Sequence, residues 1–139
     1  MSKPITGGCR CGNVKYEITA EPIMSGNCHC RDCQHATGST HLPAIAFPAD
    51  ALTITGEPKT YSITADSGNT STRVFCPTCG DLIGGYSTGI EGMKMISAVS
   101  LDDPSIYKPA MDIFVDAAQP WDVMDPDLPK FPGMPEMPE

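Results

Sequence analysis

The stretch Cys76-Pro-Thr-Cys79-Gly80 places two cysteines at the spacing of a zinc knuckle. A tight turn of this kind aims both sulfurs at one point, and the glycine relieves the backbone after the second cysteine. Metal binding by a small domain contributes directly to its folding free energy. The motif therefore predicts a metal-stabilised turn on which the rest of the fold depends.

Two further cysteine clusters extend this pattern. Cys9-Arg-Cys11 is a second pair, and Cys28-His-Cys30-Arg-Asp-Cys33 is a triplet. In extended backbone, residues two apart face the same side, so both sulfurs of a C-x-C pair can reach one metal. Four thiolates close a tetrahedral zinc site, whereas three leave one position open. The count predicts one structural and one reactive site, and hence two Zn²⁺ per chain. Spacing alone leaves open which pair joins which cluster, and the pairs could share the triplet's metal in part.

Other uses of these cysteines fit the sequence less well. The chain has seven cysteines, so disulfides alone would leave one thiol unpaired. A bridge between cysteines separated by a single residue is strained. The spacings also differ from those of ferredoxin iron–sulfur clusters. No apolar leader follows Met-Ser-Lys-Pro at the start of the sequence. We therefore expect a reduced, cytoplasmic protein in which the cysteines bind metal.

Composition limits the classes of function. With 139 residues the chain has the length of one domain. Its formal net charge of −8 argues against nucleic-acid binding, which requires a basic face. No apolar run is long enough to cross a membrane. These features predict a domain that binds neither nucleic acid nor membrane, and they leave both a monomer and a homodimer open.

The hydrophobic pattern predicts a mainly β fold. Val14, Tyr16 and Ile18 alternate with polar residues, which is the period of a half-buried strand. Turn residues such as those at 66–69 separate further short runs, which favours antiparallel pairing. One or two helical turns are expected from Asp32 to Thr37. The other predicted strands are Leu42–Phe47, Leu52–Thr55, Thr60–Ile63, Thr70–Phe75, Leu82–Tyr86, Met93–Leu101 and Met111–Val115.

The end of the chain differs in kind. Prolines recur after Gln119, which excludes a helix or a central strand there. We predict one domain over residues 1–131 that ends in an extended strap packed on the body, and a frayed Pro/Met/Glu-rich tail at residues 132–139. The apolar residues expected to anchor the strap are Trp121, Val123, Met124, Leu128 and Phe131.

The histidines near the triplet are candidates for roles around the metal. His29 lies between two predicted ligands and is a candidate catalytic base, although a side chain facing away from the metal is the alternative. His35 and His41 flank the site in sequence. His35 is also a candidate fourth ligand, which would close the site.

The order of the motifs resembles the glutathione-dependent formaldehyde-activating enzyme family, also called the centromere-protein-V-like family. The resemblance covers nearly the whole chain. It rests on Gly7-Gly-Cys9-Arg-Cys11-Gly12-Asn-Val-Lys-Tyr16, on the triplet, on Arg73-Val-Phe-Cys76-Pro-Thr-Cys79-Gly80 and on the ending Trp121-Asp-Val-Met-Asp-Pro-Asp-Leu128-Pro-Lys-Phe131-Pro.

This resemblance implies a zinc-stabilised β-tent fold of antiparallel sheets. It also implies that Cys9, Cys11, Cys76 and Cys79 hold the structural zinc and that Cys28, Cys30 and Cys33 hold the catalytic one. The implied activity is carbon–sulfur lyase chemistry on a small-molecule thiol, such as glutathione, and an aldehyde, such as formaldehyde. Arg10 and Arg31 are then candidates to bind the carboxylates of glutathione, and Arg31 is a further catalytic candidate.

Two non-enzymatic interpretations stay open. One is a zinc-stabilised interaction module, and the other is a thiol-based metal or redox sensor. The triplet favours the enzyme, because an interaction module has no use for a zinc with an open position.

Overall fold

The computed structural model describes residues 3–135 and contains ten strands and one α-helix in that range. Short 3-10 turns connect several of them. The strands are β1 Ile5–Gly8, β2 Val14–Ile18, β3 Met24–Cys28, β4 Leu42–Pro48, β5 Leu52–Gly56, β6 Lys59–Thr64, β7 Thr70–Phe75, β8 Leu82–Ser87, β9 Met93–Ser97 and β10 Asp112–Ile113, and the helix α1 is Arg31–Thr37.

The strands form two sheets, and the mainly β prediction is confirmed. The smaller sheet has the order β1-β2-β5, and the larger has the order β10-β3-β4-β9-β8-β7-β6. All pairs are antiparallel except β10, which runs parallel to β3. The short antiparallel strands and the single short helix agree with the expected β-tent architecture.

Some boundaries differ from the predictions. β1 and β3 were not predicted, because their glycine and polar residues hide the period-two pattern. The strand predicted over Met93–Leu101 ends at Ser97 and continues as a 3-10 turn. The strand predicted over Met111–Val115 shrinks to β10, since Phe114 adopts a left-handed conformation with φ 56° that ends the extended backbone.

The core lies between the two sheets. Val14, Tyr16 and Ile18 project from β2 and are buried, as their alternation predicted. They join buried residues of the larger sheet, including Phe47 of β4 and Ile83 of β8, in one apolar cluster. Each such side chain contributes about 1.5–3 kcal/mol when fully buried. The core therefore holds the two sheets together. It also fixes the positions of the turns that carry the cysteines, because these turns connect strands of the sheets.

The strap, defined here as residues 118–135, is held mainly through its backbone. The Asp112 N–H donates to the Pro129 carbonyl at 2.9 Å, and the Phe131 N–H donates to the Asp112 carbonyl at 2.9 Å. The Phe114 N–H donates to the Gly133 carbonyl, so the bonded part reaches beyond Phe131. Of the predicted tail at 132–139, residues 136–139 lie outside the described residues.

The prediction that apolar residues anchor the strap is wrong for two of the five. Trp121 is 67% exposed and Val123 is 94% exposed, whereas Met124, Leu128 and Phe131 are half-buried. The alternation of the extended strap turns Trp121 and Val123 outward, and the side chain between them, Asp122, turns inward. A polar group therefore occupies the inward position.

Gly56 at the end of β5 offers a test of close packing between the strands. It has φ 93°, and an added Cβ would lie 1.7 Å from the Asn13 carbonyl oxygen. Gly68 has nearly the same φ of 89° but nothing within 4 Å. We expect Gly56→Ala to lower the free energy of unfolding by about 2–4 kcal/mol and Gly68→Ala by about 1 kcal/mol. Urea unfolding measures both, and equal losses would contradict the close approach at Gly56.

Candidate metal centres

Four cysteine sulfurs converge where two turns meet. Cys9 and Cys11 lie on the turn between β1 and β2, while Cys76 and Cys79 lie on the turn between β7 and β8. Their sulfurs all lie within 4.8 Å of one another. The Cys9–Cys11 and Cys11–Cys76 sulfur separations are both 3.6 Å. A tetrahedral zinc with Zn–S bonds of about 2.3 Å requires sulfurs about 3.8 Å apart, so this set fits the ion.

Local backbone geometry shapes this tetrathiolate cluster. Gly80 has φ 80°, and its N–H donates to the Cys76 carbonyl at 2.8 Å, which closes the knuckle turn. Asp81 ties the two turns together, since its carboxylate accepts the backbone N–H of Arg10 at 2.7 Å. The glycine that the sequence placed after Cys79 is thus required by the turn.

Hydrogen bonds favour the thiolate form of Cys9 and Cys76 in this cluster. The Val14 N–H donates to the Cys9 sulfur at 3.2 Å, and the Asn13 amide donates to the Cys76 sulfur at 3.8 Å. The backbone N–H of Cys79 has the largest effect on Cys76 and lowers the pKa of its thiol to about 6. Donors of this kind stabilise the charged sulfur and prepare it to bind a cation.

The second cluster lies at the junction of β3 and α1. Cys28 ends β3, Cys30 is the N-cap of α1, and Cys33 lies in its first turn. The three sulfurs lie within 4.8 Å of one another. The Cys33 N–H donates to the Cys30 sulfur at 3.3 Å. Hydrogen bonds from the Cys28 and Cys33 thiols lower the pKa of Cys30 to about 3, whereas hydrogen bonds with Cys28 and Cys30 raise the pKa of Cys33.

Within residues 3–135, no histidine or carboxylate joins these three sulfurs in a common cluster. His35, the candidate fourth ligand, is exposed on α1, and its Nε2 lies 3.2 Å from Arg31 Nη2. The trithiolate cluster therefore offers three ligands from the described part of the chain.

His29 contacts carboxylates. The side chain is 1% exposed, with Nδ1 2.6 Å from Asp122 Oδ2 and Nε2 2.9 Å from Asp112 Oδ1. Its ring groups with Asp122 and His41 and not with the sulfurs of its two neighbours. A catalytic role for His29 stays a prediction, and this geometry favours the alternative in which the ring faces away from the metal.

Asp112 is a buried charge with several donors. Burial raises the pKa of its carboxyl, but hydrogen bonds from His29, Lys130 and Asn27 outweigh it, so the pKa is lowered. Lys130 Nζ lies 3.2 Å from Oδ2, and the Asn27 amide lies 3.3 Å from Oδ1. Sequence reasoning missed Asp112 and Asp122. A lone carboxylate inside the apolar run at 111–115 was the available signal for Asp112, and the proline-rich tail gave none for Asp122.

The two candidate arginines lie in different places. Arg31 begins α1 and is exposed, and its Nη1 donates to Gln34 Oε1 at 2.6 Å. Gln34 is buried and donates to the Ala117 carbonyl at 3.0 Å, which fixes the helix to the short turn just before the strap. Arg10 is exposed on the turn that carries Cys9 and Cys11. Only Arg31 therefore shares an element with the trithiolate cluster.

No helix within residues 3–135 has the length and apolar content needed to cross a bilayer.

Comparisons with known proteins identify a family and a similar fold. A family model described as glutathione-dependent formaldehyde-activating enzyme matches residues 4–117. A search among functionally curated proteins gives no match. A crystal structure of a Rhodobacter sphaeroides protein superposes with a TM-score of 0.59 at 18% identity, covering 75% of this chain and 96% of that one. At this identity the likeness concerns the fold alone.

Proposed function

Because this chain belongs to the glutathione-dependent formaldehyde-activating enzyme family, we propose that it is a zinc-dependent carbon–sulfur lyase. Its reaction joins or separates a small thiol, such as glutathione, and a small aldehyde, such as formaldehyde. The observation that carries this proposal is the cluster of Cys28, Cys30 and Cys33, in which three sulfurs converge without a fourth ligand from residues 3–135. A zinc with an open position is what catalysis requires.

The two sulfur clusters would then have different roles. The tetrathiolate cluster supplies all four ligands and would hold a structural zinc between two turns. The trithiolate cluster would hold a second zinc, which lowers the pKa of a bound thiol or polarises an aldehyde carbonyl. The sulfur separations and the N–H donors described above support thiolate ligation at both clusters.

Arg31 is the residue best placed to orient an anionic thiol. It is exposed one residue beyond Cys30, and its contact with Gln34 holds the guanidinium in one direction. Gln34 is itself fixed, because the Gln119 amide donates to its Oε1 at 3.0 Å. A guanidinium held in this way loses little side-chain entropy when it binds a carboxylate. Arg10 is the second candidate for such a contact.

A specific observation also supports a non-catalytic interaction module. Trp121 and Val123 stand exposed together on one side of the strap, and aromatic residues of this kind are common anchors in protein interfaces. Absence of any thiol binding would favour this alternative.

The setting of the reaction is part of the same proposal. We propose a cytoplasmic protein that acts on small molecules as a monomer or homodimer. The formal charge of −8 supports a domain that does not bind nucleic acid.

Thiol binding distinguishes these functions. We expect zinc-loaded protein to bind glutathione at least about tenfold more tightly than S-methylglutathione, a difference of about 1.4 kcal/mol, because the methylated analogue cannot supply a thiolate. Arg31→Ala should weaken binding of both compounds, and Lys59→Ala on β6 is the control. Binding should also weaken at high salt, which screens exposed charge pairs, and at low pH, where the thiol keeps its proton.

Isothermal titration calorimetry measures these affinities. Equal binding of both compounds would contradict a thiolate at the trithiolate zinc. If Arg10→Ala weakens glutathione binding and Arg31→Ala does not, the residue that binds the carboxylate is Arg10, on the turn between β1 and β2.

A further inference from the structure

We propose a third metal site, separate from both sulfur clusters, in which His29, His41 and Asp122 bind a divalent transition-metal ion such as Zn²⁺. One ring nitrogen of each histidine and one carboxylate oxygen lie within 4.8 Å of one another. The ligands come from the residue after β3, from the residue before β4 and from the strap. This proposal does not depend on the proposed function.

The hydrogen bonding of His29 determines which of its nitrogens can bind the ion. Nε2 lies 2.9 Å from Asp112, a buried carboxylate that also contacts Lys130 and Asn27. With the Nε2 proton donated to Asp112, Nδ1 presents its lone pair to Asp122. Histidines that bind metals typically donate their other ring N–H to a carboxylate in this way.

The close contact between His29 and Asp122 is stable only if a cation lies between the two side chains. Nδ1 and Oδ2 are 2.6 Å apart, and the Asp122 side chain is 4% exposed. Two acceptors this close and this buried repel each other unless a proton or a metal ion lies between them. Ligands of a tetrahedral zinc stand about 3.4 Å apart, so an opening of less than about 1 Å admits the ion.

His41 favours the metal over the proton. A proton shared by His29 and Asp122 needs no second imidazole, yet the His41 ring centroid lies 5.1 Å from that of His29. Nδ1 of His41 lies 2.8 Å from Thr40 Oγ1. Nε2 is therefore the nitrogen of His41 that would bind the ion. The ring of His41 is half-buried beside His29, so it can offer a nitrogen to an ion that lies between His29 and Asp122.

The ligand set also indicates what the ion would do. Two imidazoles and one carboxylate suit Zn²⁺, Co²⁺ or Ni²⁺. Since His29 lies between Cys28 and Cys30, an ion at this site would fasten the strap directly to the loop that carries the trithiolate cluster. The same loop would thus be fixed by the third ion on one side and by its sulfurs on the other.

Cadmium-113 NMR of the full chain tests the site. We expect three resonances from cadmium-loaded protein, two deshielded ones from the sulfur clusters and one shielded one from nitrogen and oxygen ligands. His41→Ala and Asp122→Asn should remove only the shielded resonance. His35→Ala, at the exposed histidine of α1, should keep all three. Asp112→Asn, which weakens the orientation of His29, should lower the affinity of the shielded site by about 10–100-fold.

Nitrogen-15 spectra of the histidine rings give a second readout on the unmodified chain. Adding Zn²⁺ beyond the amount that fills the sulfur clusters should shift Nδ1 of His29 and one ring nitrogen of His41. If both nitrogens of His29 carry protons and do not respond to Zn²⁺, the contact is a proton-bridged clamp and the proposal is wrong. Survival of the shielded resonance in both variants would also overturn it. Loss of thiol binding would affect neither readout.

Discussion

Replacing Cys79 with serine is expected to lower the free energy of unfolding by more than about 4 kcal/mol, enough to unfold much of the protein at 37 °C. Cys79 is exposed, so the substitution removes little packing. What it removes is one of four ligands of a cluster that joins the β1–β2 turn to the β7–β8 turn. Structural zinc contributes about 10–16 kcal/mol of binding free energy to small metal-stabilised folds.

Thr78→Ser is the matched control for this prediction, since it changes an exposed residue of the same turn that supplies no sulfur. Thermal melts followed by circular dichroism, together with zinc analysis, measure both variants. A Cys79→Ser protein that melts like Thr78→Ser would show that the tetrathiolate cluster does not stabilise the fold.

Cys33→Ser is expected to have the opposite profile, with a folded protein and lost activity. Cys33 lies on the short helix α1 and outside the main apolar cluster, so the change in melting temperature should be a few degrees at most. The rate of carbon–sulfur bond formation should fall at least about 100-fold, because a catalytic zinc supplies several kcal/mol of transition-state stabilisation. Metal analysis should show the loss of one zinc ion per chain.

Exchange NMR with ¹³C-formaldehyde and glutathione measures this rate directly. Thr37→Ser is the control on the same helix, since it keeps the hydroxyl that donates to the Cys33 carbonyl. If Cys33→Ser and Cys79→Ser melt alike, the division into a structural and a catalytic cluster is wrong.

Local sequence patterns predicted the elements whose structure depends on neighbouring residues. The alternation of Val14, Tyr16 and Ile18 identified β2, because a strand buried on one face repeats every two residues. The glycine after Cys79 predicted the turn that its positive φ requires. Thr-Gly-Gly in β1 and Ser-Gly-Asn in β3 carry no such period, and pairing with neighbouring strands makes them strands.

The cysteine motifs predicted which cysteines lie close to a neighbour in the sequence. The family resemblance implied that the pair Cys9/Cys11 combines with the pair Cys76/Cys79. One turn brings together the sulfurs of cysteines two or three residues apart, so their spacing in the sequence is enough to predict that they lie close together. The meeting of Cys11 with Cys76, which are 65 residues apart, requires the two sheets to pack on each other. Spacing alone could not decide that pairing.

The sequence by itself determined that this protein is mainly β, with cysteine clusters that could hold metal ions and a proline-rich strap. The tertiary structure alone decided the surroundings of His29. Its ring meets Asp112 and Asp122, which lie 83 and 93 residues further along the chain. These contacts exist because β10 pairs in parallel with β3 and because the strap returns beside β10. Long-range pairing of this kind follows from the summed packing of the whole chain, and no local pattern of residues records it.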